Sequence, residues 1–145
     1  MEITERQKVL VKESWGQLLR HGSLISEQFY PRLFKALPEA EALFQHGPQE
    51  QARKLRSVIT LMVTKLDKLD RIEEEMYYLS RRHVDFKVRP VYFSTFGRVL
   101  IHTFAEALGE KFTQEHREAW ATMLHIVSDK MIHVMQQKSR MAVSA

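Results

Sequence analysis

Apolar residues recur every three or four positions along most of the chain, the period of helices packed on one face. Val9, Leu10, Trp15, Leu18 and Leu19 mark the face of a first helix, with Thr4 as N-cap and Gln7 three residues on to complete a capping box. His21-Gly22-Ser23 ends that helix and starts the next, whose face is Phe29, Leu33, Phe34 and Leu37 up to Pro38. Pro31 lies inside this segment, where a proline removes a hydrogen bond and kinks a helix, so pattern and proline conflict there. Leu43-Phe44 follows a short turn, then a loop with Gly47-Pro48. Leu55, Val58, Ile59, Met62, Val63 and Leu66 form the strongest stripe, ~18 residues or ~27 Å of helix. Met76 and Leu79 share a face with His83 at the end of a shorter helix. Pro90 opens another, carrying Phe93, Phe96, Leu100 and Phe104 and ending near Gly109. Thr113 caps the last, with His116 where a capping box would have Glu or Gln, and its stripe is Trp120, Leu124, Val127, Met131 and Val134.

The pattern predicts an all-α chain of seven or eight helices, without strands, internal repeats or a long linker. The boundaries expected are one domain over residues 1–137 and a flexible, frayed tail over 138–145. A chain of 145 residues can bury a core of its own.

Composition narrows the chemistry. No cysteine is present, which excludes disulfides, thiolate nucleophiles, iron–sulfur clusters and cysteine zinc sites. No apolar run approaches the ~20 residues of a membrane span, and the first ten residues lack a signal-peptide pattern, so a cytoplasmic protein without membrane contact is expected. The net charge of +4 raises nucleic acid as a partner, but the basic residues are dispersed apart from Arg81-Arg82 with Lys87 and Arg89 nearby, and no nucleic-acid partner is expected. Gly-rich phosphate loops, GxSxG, HExxH and EF-hand loops are absent.

Seven histidines remain, and one alone is more often a surface or satisfied imidazole than a ligand. His83 differs because it lies on the apolar side of its helix, in line with Met76 and Leu79. Helical geometry lets its Nδ1–H donate to the Leu79 carbonyl, which leaves Nε2 free for a metal. A single protein ligand suits iron already held by four porphyrin nitrogens, and does not suit zinc.

FYPRLF at 29–34 followed by Pro38, Leu43-Phe44, QARKL at 51–55, RRH at 81–83 followed by Val88, FSTFG at 93–97 and FTQEHREAW at 112–120 together resemble the globin family, in order and at its spacings. The last two segments are similar to those of neuroglobin-like globins and bacterial single-domain haemoglobins. The resemblance implies a three-over-three helical sandwich around haem b, iron protoporphyrin IX, with His83 as proximal ligand to a five-coordinate iron. It puts Phe44 on the haem face, Gln51 and Tyr30 on the distal side, Leu55 as a pocket wall and Lys54 at the haem edge. Leu79, Arg82, Val88 and Phe93 complete the cofactor set. Read alone, Tyr30 is equally a helix aromatic with its hydroxyl at the surface, and Gln51 an ordinary helix-start residue.

In such a site Tyr30 O–H and the Gln51 amide are two donors facing O2, which carries partial negative charge when bound. At ~1.5–3 kcal/mol each they would slow O2 loss by roughly ten- to a hundredfold per donor, with a smaller gain for CO. The expectation is reversible binding of O2, and of NO and CO, for transport, storage or scavenging. The alternatives are NO dioxygenation, with Tyr30 and Gln51 as the catalytic pair and an external reductase, or gas sensing. Three positions depart from family patterns: glutamine is a poor iron ligand, Arg82 stands where many globins have an orienting serine, and Leu124 stands where flavohaemoglobins have a proximal tyrosine. At 145 residues, no flavin or nicotinamide domain is expected alongside the globin-like segment.

Overall fold

The computed structural model describes residues 2–44, 47–72, 74–75 and 91–144, with the side chains of 43, 48 and 138–144 excluded. The described residues contain no strand. Among the described residues, five α-helices run in order: α1 Glu5–Leu18, α2 Tyr30–Ala36, α3 Pro48–Thr64, α4 Val91–Leu108 and α5 Gln114–Ser144. The segments Pro38–Leu43, Leu66–Arg71 and Gly109–Lys111 are 3-10 turns, so the helices expected from the sequence are α-helical in part and 3-10 in part among the described residues. The helix expected before His83 falls largely outside the described residues.

Local chemistry explains the helix ends. Thr4 Oγ1 accepts the Gln7 N–H at 3.1 Å while Gln7 Oε1 accepts the Thr4 N–H at 3.0 Å, the reciprocal cap that the sequence predicts. At α5 a histidine takes the glutamate's place: His116 Nδ1 accepts the Thr113 N–H at 3.1 Å, and its ring stacks on Phe112 at 5.5 Å. Leu37 leaves the helical region, at φ −134° and ψ 79°, because it precedes Pro38, and α2 stops there. Gly109 ends α4 at φ +56°, a backbone that side chains other than glycine's resist.

The conflict at Pro31 resolves into a single wider turn. Ile25–Phe29 form a π-turn in which the Tyr30 N–H reaches back five residues to the Ile25 carbonyl. The wider turn keeps the proline ring from the carbonyl four residues back, and the chain continues into α2 without a break. It also puts two apolar pairs five residues apart, Leu24-Ile25 and Phe29-Tyr30, on the buried side together.

The core lies where α1 packs on α5, α3 and α4. Trp15, Phe104 and Trp120 meet there as tilted and edge-to-face rings, with centroids 4.9–5.9 Å apart. Each indole N–H has a partner: Trp120 Nε1 donates to Ser14 Oγ at 2.8 Å and Trp15 Nε1 to Thr60 Oγ1 at 3.0 Å. Ser14 is itself fully buried, and its hydroxyl donates to the Leu10 carbonyl at 2.6 Å. One expectation needs correction. Val9 and Leu19 are exposed, because the buried face of α1 follows the 3.6-residue period through Leu10, Val11, Ser14, Trp15 and Leu18. The backbone of the last helix runs to Ser144.

Candidate functional site

Tyr30 is the first residue of α2 and only 4 % exposed. Its ring is held on three sides: by Phe29 at 5.0 Å, Phe34 at 5.8 Å and Phe44 at 5.2 Å. Phe34 and Phe44 also touch each other at 5.4 Å, and Phe96 of α4 reaches Phe29 at 5.0 Å. The result is an aromatic wall built from the π-turn, α2, the chain after Leu43, and α4. Arg32 ties α2 to α4 by pairing with Glu106 and donating to Thr103 Oγ1 at 3.3 Å.

The Tyr30 hydroxyl ends against α3, where it donates to the Gln51 main-chain carbonyl at 3.4 Å. Burial pushes the phenol's pKa well above its ordinary value, so the group stays a neutral O–H donor through the physiological range. Gln51 and Leu55 are half-buried one turn apart on α3, and Leu55 and Val58 pack on the core with Phe93 and Phe96 of α4. Lys54 sits between them in sequence and pairs with Glu50 at 3.7 Å.

Of the ten residues singled out from the sequence, the structure brings Tyr30, Phe44 and Gln51 together, with Leu55 and Phe93 on the same hydrophobic cluster. Lys54 is half-buried on α3 with its ammonium on Glu50. Leu79, Arg82, His83 and Val88 lie outside the described residues. The contact between Tyr30 and Gln51 runs through the main chain. Phe34, Phe29 and Phe96 belong to the same wall; the sequence marked them as helix stripe and as parts of FYPRLF and FSTFG, without a site role. The spacing of Tyr30 and Phe34, four apart on one helix, was the available signal.

Comparison with known proteins agrees with this architecture. Residues 27–131 match the Globin family. A flavohemoprotein of Deinococcus radiodurans is 28 % identical over 135 residues, covering 91 % of this chain and 34 % of its own length. A flavohemoprotein of Rhizobium meliloti is 28 % identical over 122 residues, covering 82 % of this chain and 30 % of its own. The chain thus spans about a third of the curated relatives it matches. Among solved structures, an engineered carbene transferase, described as a candidate nitric oxide dioxygenase from Rhodothermus marinus, superimposes with a TM-score of 0.86. It is 22 % identical and the match covers 97 % of this chain and 99 % of that one. That likeness establishes the fold, and the family match spans most of the chain: the protein belongs to the globin family.

Proposed function

We propose that this protein binds haem b and uses it to take up O2 and related diatomic gases reversibly, with Tyr30 as the hydrogen-bond donor to the bound gas. The family and the flavohemoprotein relatives imply haem. The residues present suit it. Phe34, Phe44, Leu55, Val58, Phe93 and Phe96 are all partly exposed while packed on the core, an apolar surface of the kind a porphyrin face covers. Haem supplies an iron with an open position for a diatomic ligand. On the resemblance, His83 holds that iron from the other side.

The observation that carries the reading is the Tyr30 phenol: desolvated, neutral and fixed by three rings. A donor held that way loses little entropy when it meets an acceptor. O2 accepts such a bond better than CO, so the site favours O2. The Gln51 amide is the second donor on this reading.

The relatives favour a second reading, NO dioxygenation with electrons from a separate reductase, because those found are flavohemoproteins and a candidate nitric oxide dioxygenase. Tyr30 would serve both by orienting O2.

The test is the visible absorption spectrum of the purified protein as isolated, reduced, and reduced under CO. The reading predicts an intense Soret band that shifts with CO, and loss or loosening of haem in His83→Ala. A protein that neither carries nor takes up haem contradicts it.

A further inference from the structure

Tyr30 has one hydroxyl proton, and in this structure it goes to the main chain of another helix. The acceptor, the Gln51 carbonyl, lies in the second turn of α3, where helix geometry also brings it the N–H of Leu55. A carbonyl oxygen has two lone pairs and holds both donors. The bond at 3.4 Å is long for O–H···O, so it is a weak tether that a better acceptor can displace. Because Phe29, Phe34 and Phe44 clamp the ring, the exchange takes place chiefly by rotation of the hydrogen about the Cζ–Oη bond.

Ala52 buries this end of α3 in the core, while the helix start itself is weakly capped. Gly47 offers no side-chain cap, Pro48 has no N–H, and the Gln51 N–H returns to the Gly47 carbonyl at 3.1 Å. The Tyr30 phenol is therefore a cross-link between α2 and the first turns of α3.

We infer that this cross-link is ligand-dependent: a gas that accepts the Tyr30 hydrogen bond takes it from the Gln51 carbonyl and frees the first turns of α3, and a gas that accepts poorly leaves it in place. The inference rests on the gas-binding reading and deepens it. O2 and CO, both entering the same pocket, leave different marks on the α3 N-terminus, and the mark is set by hydrogen-bond acceptance rather than by ligand size.

The experiment is amide hydrogen exchange, read by mass spectrometry, on the full-length haem-loaded ferrous protein without gas, under CO and under O2, for the unaltered chain and Tyr30→Phe. In the unaltered chain, O2 should speed exchange over residues 49–55 by about two- to tenfold, the effect of losing one hydrogen bond, while CO changes it little. Tyr30→Phe should be fast in all three states. Equal exchange with and without O2 in the unaltered chain overturns the inference. If Tyr30→Phe still speeds O2 release in that case, the donor role stands and only the cross-link falls. If Tyr30→Phe leaves both O2 release and α3 exchange unchanged, both fall.

Discussion

Replacing Ser14 by alanine removes one oxygen from the middle of the core. Ser14 and Trp120 are both essentially inaccessible, and the serine hydroxyl is the partner of the Trp120 indole N–H at 2.8 Å. The Leu10 carbonyl that Ser14 Oγ also touches keeps its helical partner, so losing that bond costs little. The indole N–H has no such reserve. Leaving a buried donor unpaired costs about 1–3 kcal/mol. For a chain of this size that lowers the melting temperature by roughly 3–9 °C. Thr60 provides the internal control, because it caps the Trp15 indole at 3.0 Å but is itself exposed. In Thr60→Ala, water can replace the hydroxyl, and the cost should stay below about 1 kcal/mol. Thermal or urea unfolding of Ser14→Ala, Trp120→Phe and the double variant measures the coupling, and Ser14→Ala should cost almost nothing once the indole is gone. Equal destabilisation by Ser14→Ala with and without Trp120 would mean that the indole N–H is not the group left unpaired.

Gly109→Ala should destabilise by about 1–2 kcal/mol through backbone strain alone, because φ is +56° and a Cβ there meets nothing within 4 Å; unfolding that matches the parent would contradict this. The Lys8 ammonium bonds Asp67 at 3.1 Å, with Lys12 nearby, and holds the Asp67 carboxyl below its ordinary value of 3.8. A carboxyl depressed on folding adds stability that is complete above pH ~4 and is lost as pH falls through the folded-state value. Asp67→Asn should therefore lower stability near neutrality and flatten its fall below pH ~4, read by thermal melts at several pH values; an unchanged acid limb would count against the pair.

How far the sequence revealed this molecule depended on the range of the interaction. The Thr4–Gln7 cap and the α5 stripe through Trp120 and Met131 are local, and their spacing alone places them. The Thr113–His116 cap was legible as a position, although its chemistry differs from the usual acidic or amide partner. Val9 misled because a helix of 14 residues has room for apolar side chains off the buried face, and Leu19 because it follows the last helical residue, Leu18. Ser14 was invisible, since a polar residue in a helix reads as surface until the partner 106 residues away is known. The π-turn was written in the chain as two apolar pairs five apart, beside a proline that a regular helix would reject. At the site, Tyr30 and Phe44 could be named from the globin-like order of motifs. That Tyr30 meets the main chain of Gln51 depends on how α2 crosses α3, which no periodicity encodes.

On the proposed function, the buried Tyr30 phenol donates to O2 in a haem pocket. The direct measurement is the O2 dissociation rate of the ferrous protein, followed by stopped-flow displacement with CO, for the unaltered chain and Tyr30→Phe. A hydrogen bond to a partly charged acceptor, worth about 1.5–3 kcal/mol, predicts release faster by roughly ten- to a hundredfold in the variant, with CO release little changed. Equal O2 release from both proteins would contradict the claim.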